Sequence, residues 1–177
     1  NLKILLLKLE EVMGLDWIST KVLVIDDFSL QDKPDFLKSY IGRIEIVELT
    51  RNMGHQKAIA IGLSYAVSNY AYSENFVVMD SDGEDNPEHI SILKSAYLNE
   101  THCISFAHRQ KRAEIKSFRF FYKIYKQFFR ILTGQRISFG NFCVISNEAA
   151  KRLVHVSEIW LHFSSGVIKS KIPFKTV

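Results

Sequence analysis

Cysteine and long apolar runs are what this sequence lacks. Only Cys103, in HCISFA, and Cys143, in NFCVIS, occur among 177 residues. They form neither a CxxC pair nor a disulfide framework, so both read as buried, reduced thiols of a cytosolic protein. No stretch approaches the roughly 20 apolar residues of a membrane-spanning helix. No charged start followed by an apolar middle marks a secretory leader, so the chain as given is expected to be soluble or peripheral. Internal repeats, low-complexity tracts and glycine/serine-rich linkers are also missing, which argues against a second complete domain. Of the histidines, His89, His102, His108, His155 and His162 fall into no HExxH or HxxxH spacing and read as surface or packing residues. What is present is ordinary globular material, 47% hydrophobic and 24% charged. The formal charge of +4 and pI near 9.0 suit a phosphate-bearing partner but are also common in proteins that bind none.

Short β-rich runs alternate with helical patterns. Lys21 to Asp26, Ile44 to Leu49, Asn75 to Asp80 and His102 to Ala107 have strand length and β-branched or aromatic content. Pro34 to Ile41, Gln56 to Tyr70 and Pro87 to Leu98 carry apolar residues at helical spacing. Such alternation predicts an α/β fold, a Rossmann-like, mostly parallel sheet with helices on both faces, whose ligands bind beyond the carboxyl ends of the strands. NLKILLLKLEEVMGL reads as a helix with no strand before it, and KIPFKTV stops mid-pattern. A single domain cut at both ends is therefore expected. Trp160 is expected to anchor the last helix.

Two strands end in acids. Asp26-Asp27 closes the first, and Asp80-x-Asp82 closes the third within VVMDSDGEDNP. Neighbouring parallel strands would collect both pairs at one sheet edge. Asp80 and Asp82 can aim oxygens at one point, and Glu84 can add a third, a hard donor set suited to Mg²⁺ or Mn²⁺ holding a diphosphate. Gly83 lets the chain turn, and Asn86-Pro87 supplies a cap and a first helical residue. A solvated turn of loop-forming residues would have the same composition. A calcium-binding EF-hand loop is excluded by context: a strand precedes the acids, the glycine comes fourth where the sixth position needs it, and Ser91 stands where a bidentate Glu is required.

Three ordered elements resemble glycosyltransferase family 2, in particular its polyprenyl-phosphate glycosyltransferase and dolichyl-phosphate mannose synthase branch. VLVIDDFS resembles the strand with DDxS, LTRNMGHQKAIAIGLSYA the RNxGHQ helix, and VVMDSDGEDNPEHI the DxD element with its Pro-Glu helix. AHRQKR and FGNFCVIS extend the likeness more loosely. The resemblance implies a GT-A fold and a metal-dependent, inverting hexosyltransferase using a UDP- or GDP-sugar. Nucleotide-sugar contacts would fall to Asp26 or Asp27, Ser29, Arg51, Asn52 and Asp80. The metal would fall to Asp80, Asp82 and Glu84. Asp82, Arg109, Arg119 and Asn141 would serve catalysis, and the missing first strand would carry a further nucleotide contact. Each residue has a plainer reading as well: Asp27 and Ser29 as a turn cap, Arg51 and Asn52 as loop residues, His55 as a first-turn helix residue.

The acceptor side departs from the family pattern. Asn141 stands where the branch often has an Asp, and Asn cannot act as a base; Cys143 replaces a cation. An anionic polyprenyl phosphate needs little base, whereas a hydroxyl acceptor on a growing cell-envelope polysaccharide needs one. A nucleotide-sugar-binding module without catalysis is a third reading. Arg109 to Arg130 interleaves cations with seven aromatic residues. That pattern suits the membrane interface at the cytoplasmic face or a packed helix with a basic face. RNA would use the same charges, but no RNP-like motif accompanies them, and no nucleic acid is expected. A response-regulator receiver domain fails on the order of its acids and lysine.

Overall fold

The computed structural model describes residues 1–30, 33–97, 104–108 and 139–177. Helices α1 (Leu2–Met13) and α2 (Asp16–Ser19) lead into β1 (Val22–Asp26), then a 3-10 helix (Asp35–Tyr40) and β2 (Ile44–Glu48). Next come α3 (His55–Asn69), β3 (Asn75–Val78), α4 (His89–Tyr97) and β4 (Ile104–His108). The remainder is β5 (Phe139–Ser146), α5 (Asn147–Leu153), a 3-10 helix (Ser157–Trp160), α6 (Phe163–Ser170) and β6 (Phe174–Thr176).

The alternation expected from the sequence is present, with three adjustments. Pro34 to Ile41 forms a 3-10 helix over Asp35–Tyr40, none of whose residues is buried. Its Phe36, Leu37 and Tyr40 pack only partly buried against the core that holds α1 and α4, and the short segment takes the tighter 3-10 form. Trp160 sits in the 3-10 helix ahead of the last helix, 37% exposed, and the anchor beneath it is the fully buried Ile159. FGNFCVIS, which carried no strand expectation, is the longest strand described.

β1 and β2 pair in parallel, with Val22 opposite Ile44 and Asp26 opposite Glu48. The second sheet has the order β3-β5-β4-β6. β5 runs antiparallel to both β3 and β4, and β6 lies parallel to β4. Because β5 is central it is covered on both sides. Phe142 and Val144 join Leu5, Leu6 and Leu9 of α1 and Ile90 and Leu93 of α4 on one side. Cys143 and Ile145 join α3, α5 and α6 on the other, with Leu63, Leu153, Phe163 and Val167. A strand buried on both faces reads as a continuous apolar run and shows no alternation.

Among the described residues β1 and β3 are not ladder partners. Neighbouring strands therefore do not collect the two acidic pairs, as the sequence had suggested. Helix α3 spans the two sheets: Gly62 meets Ile25 of β1, while Ile59 and Val67 join Phe76 and Val78 of β3 in one apolar cluster. A methyl group at Gly62 would come within 2.7 Å of the Ile25 side chain, so the missing side chain is what lets α3 lie close to β1. Similarly, Gly166 of α6 faces the Ile159 backbone, whose N a Cβ would meet at 2.6 Å. Ser146 caps α5 by accepting from the Ala149 N–H, with Glu148 in the first turn and Lys151 and Arg152 in the last, each end matched to the helix dipole.

Candidate active site

The carboxyl ends of β1, β2 and β3, the start of α3 and the middle of β5 converge on one surface. After β1 the chain turns sharply. Asp26 Oδ1 accepts from the Ser29 N–H at 2.8 Å, closing an Asx turn in which Phe28 takes a positive φ of 67°. Asp27 is placed differently. Its two carboxylate oxygens accept from the Met53 N–H at 2.6 Å and the Gly54 N–H at 2.8 Å. The acid thus holds the loop that precedes α3. Gly54, at φ 86°, turns the chain into the helix, and Asn52 Oδ1 also accepts from its N–H at 3.1 Å. Arg51 is exposed, its Nε donating to Met53 Sδ at 3.2 Å.

The RNxGHQ stretch thereby acquires separate duties. His55, the first residue of α3, carries its Nε2 to 3.4 Å from Asp80 Oδ1 and 2.9 Å from Asn141 Nδ2. In the Nδ1–H tautomer that nitrogen accepts from the Asn141 amide; when it carries a proton it donates to Asp80. Gln56 reaches across to α6, its Oε1 accepting from the Phe163 N–H at 2.7 Å. A continuous line of contacts therefore runs from Asp27 through the 53–55 loop to Asp80 and Asn141, joining elements that do not share a ladder.

The acidic turn after β3 is organised by its own backbone. Asp82 Oδ1 accepts from the Glu84 N–H at 2.9 Å, Gly83 has φ 93°, and Asn86 Oδ1 accepts from the Glu88 N–H at 3.3 Å. The helix that follows starts at His89, so Asn86 and the buried Pro87 shape the approach to α4 and not its first turn. The Asn1 side chain donates to the Asp82 carbonyl at 3.0 Å, tying the start of α1 to the same turn.

Asp85, which sequence reasoning passed over, is the acid set inside. Its Oδ2 accepts from the Asp80 N–H at 2.8 Å. Burial, reinforced by the charges of Asp80, Asp82 and Glu84, pushes its pKa up to about 6, against the opposing pull of that hydrogen bond. Behind it the thiol of Cys143 is fully buried and raised well above its ordinary value by burial and by the Asp85 charge, which leaves it unreactive. DSDGED gives no sign of which acid turns inward; only the packing does.

Asp80, Asp82 and Glu84 supply hard oxygens from one turn, Asp82 and Glu84 exposed and Asp80 half-buried. Among the described residues no three His, Cys, Asp or Glu side chains already form a metal-binding group. The donor chemistry therefore fits Mg²⁺ or Mn²⁺ only as a partial set, completed by oxygens from outside the protein, which is how Mg²⁺ is commonly held beside a diphosphate. Beyond β1 and β2 lies an open cleft of about 570 Å³ lined by Asp26, Phe28, Ser29, Lys33, Glu48 and Leu49. Lys33 and Glu48 form an ion pair on its rim. Arg109 and Arg119, together with the basic aromatic segment and Cys103, lie outside the described residues.

Acids and a polar cleft beyond the carboxyl ends of strands lie where α/β folds bind their ligands. The family model for glycosyl transferase family 2 matches residues 2–154, and the chain belongs to that family. It is 29% identical over 160 residues to the uncharacterized glycosyltransferase YkcC of Bacillus subtilis (strain 168), covering 85% of this chain and 47% of that protein. The crystal structure of S. aureus TarS 1-349 superposes with a TM-score of 0.58 at 13% identity, over 97% of this chain and 52% of that one. The chain thus spans about half the length of the relatives it matches, and its fold is GT-A-like. Among the described residues no helix is long and apolar enough to cross a membrane.

Proposed function

We propose that this chain carries the donor-binding part of a metal-dependent, inverting glycosyltransferase that moves a hexose from a UDP- or GDP-sugar to a polyprenyl phosphate at the cytoplasmic membrane face. The observation that carries the reading is the convergence of Asp80, His55 and Asn141 beside an exposed carboxylate turn. In this reading Asp80, Asp82 and Glu84 hold Mg²⁺ or Mn²⁺, which when bound offsets charge on the departing diphosphate. Arg51, exposed at the mouth of the loop, adds positive charge nearby. Asp26 and Ser29 face the nucleoside from the cleft. Asp27 acts at one remove, by fixing the loop that presents His55.

The acceptor oxygen attacks the anomeric carbon from the side opposite the donor diphosphate. The carbon–oxygen bond to the diphosphate breaks, and the nucleoside diphosphate leaves with the electron pair. An anionic phosphate acceptor brings its own nucleophilic oxygen and has no proton to lose, which accords with an amide, Asn141, on the acceptor side. His55 holds that amide in place. The membrane assignment rests on the sequence of Arg109 to Arg130, whose cations and rings suit a lipid headgroup boundary.

The test uses the full-length, folded protein. Calorimetric titration with UDP-glucose and GDP-mannose, with and without Mn²⁺, is expected to show metal-dependent binding of one donor, and radiolabelled sugar is expected to appear in a lipid-phosphate product. Asp82→Ala is expected to abolish transfer. Transfer retained in that variant sinks the metal role; product found only on a soluble glycan replaces the lipid acceptor by a hydroxyl one; binding without turnover identifies a non-catalytic module.

A further inference from the structure

The turn after β1 contains a residue that neither backbone preference nor core packing explains. At φ 67° Phe28 occupies the left-handed region, where a bulky side chain is a genuine outlier and glycine or asparagine is the comfortable choice. Strain of this kind persists where the surroundings impose it, and it gathers at ligand sites. The ring is only half covered in return. Phe28 remains 49% exposed, and among the described residues no second aromatic ring pairs with it. Instead it lines the cleft beyond β1 and β2 together with Asp26, Ser29 and the Lys33–Glu48 ion pair. The Asx turn of Asp26 fixes the backbone on which the ring is mounted, the Ser29 N–H bonding Asp26 Oδ1 at 2.8 Å.

We propose that Phe28 is a specificity-determining residue, a platform on which the flat heterocycle of the donor's nucleoside stacks. The inference rests on the nucleotide-sugar reading above and adds to it the surface that tells a nucleoside diphosphate from a bare diphosphate. A half-exposed ring held at the edge of a polar cleft loses little conformational freedom when a second ring covers it, and stacking on an aromatic face is favourable for any base. The carboxylates of Asp26 and Glu48 at the rim then act on the edge of the base, where N–H groups differ between heterocycles.

The test is calorimetric titration of the full-length protein in Mn²⁺ with UDP, GDP, CDP, ADP, dTDP and inorganic pyrophosphate. Wild type is compared with Phe28→Gly, Phe28→Leu and Phe28→Tyr. Glycine relaxes the backbone at this position, so Phe28→Gly is expected to fold with a melting temperature at or above wild type. Wild type is expected to bind one nucleoside diphosphate more tightly than pyrophosphate. Phe28→Gly and Phe28→Leu are expected to lose roughly tenfold in affinity for that nucleotide while keeping their pyrophosphate affinity, and Phe28→Tyr to restore it. Unchanged nucleotide affinity in the glycine and leucine variants overturns the stacking role and leaves the transferase reading standing, as does an equal loss of pyrophosphate binding. Failure of wild type to bind any nucleoside diphosphate overturns both.

Discussion

Two strand ends in this chain carry the same pattern, an apolar run closed by a pair of aspartates, and the fold puts them to opposite uses. After β1, Asp27 turns both oxygens inward onto the Met53 and Gly54 N–H groups and works as a fastener. After β3, Asp82 keeps its carboxylate exposed and Asp80 lies beside His55, which in turn meets Asn141. What separates the cases is the neighbouring backbone. Beside Asp27 stands the loop ahead of α3, which presents the Met53 and Gly54 N–H groups to it. In the β3 turn the Asp80 N–H is taken by Asp85, while Asp82 accepts from the Glu84 N–H and stays exposed. Acids close together in sequence therefore take different partners: Asp27 bonds the distant 53–54 loop and Asp85 the Asp80 N–H, while Asp26 and Asp82 each bond an N–H two or three residues on.

The sharpest way to break this comparison is to remove one acid from each end. Asp82→Ala in the full-length protein is expected to lower sugar transfer by at least a hundredfold while thermal unfolding shifts by no more than about 0.5 kcal/mol, as for exposed positions generally. Asp27→Ala should show the reverse order of effects. Two N–H groups lose charged acceptors, so urea unfolding is expected to register a loss of about 2–3 kcal/mol, with activity falling only as the loop loosens. Equal stability loss in both variants would erase the distinction.

Asp85 tests the comparison on the β3 side through pH. Its pKa is raised to about 6 from the ordinary 3.8, so the folded state holds this proton more tightly than the unfolded chain does. The stability cost of ionising it is absent below pH 4 and fully present once pH exceeds 6. Asp85→Asn keeps an oxygen for the Asp80 N–H and removes the charge. It is expected to gain about 1 kcal/mol at pH 7.5 and to flatten the stability profile between pH 4 and 6; a profile identical to wild type would show that Asp85 is not the buried acid. The smallest effect belongs to Asp26→Asn. Asparagine closes the same Asx turn, so stability measured by thermal melting is expected to change by less than about 0.5 kcal/mol. A larger loss would place Asp26 with Asp27 among the fasteners.

Much of the frame was legible in the residues. VLVID and IEIVE announced β1 and β2 through β-branched content, and the apolar spacing of HQKAIAIGLSYAVSN announced α3. β5 escaped notice because a strand covered on both faces has no alternation to read. The 3-10 helix at Asp35–Tyr40 was expected as an α-helix, since apolar spacing alone does not distinguish a short 3-10 turn whose Phe36, Leu37 and Tyr40 are only partly buried. Within the site, the acids and the His55–Gln56 pair were visible as a motif. Their division of labour was not, because it depends on which N–H groups lie within about 3 Å once the elements dock.

The sequence by itself determined the alternation of strands and helices, the family, and the placing of carboxylates at strand ends, because these follow from local periodicity and from short motifs in fixed order. Only the tertiary structure decided that Asp27 and Asp85 turn inward, that His55 meets both Asp80 and Asn141, and that Phe28 stands strained at the mouth of a cleft. Each of these depends on a partner 5 to 86 positions away or on a backbone conformation imposed by its surroundings, and burial, hydrogen bonding and strain at that range arise only when the chain has closed on itself.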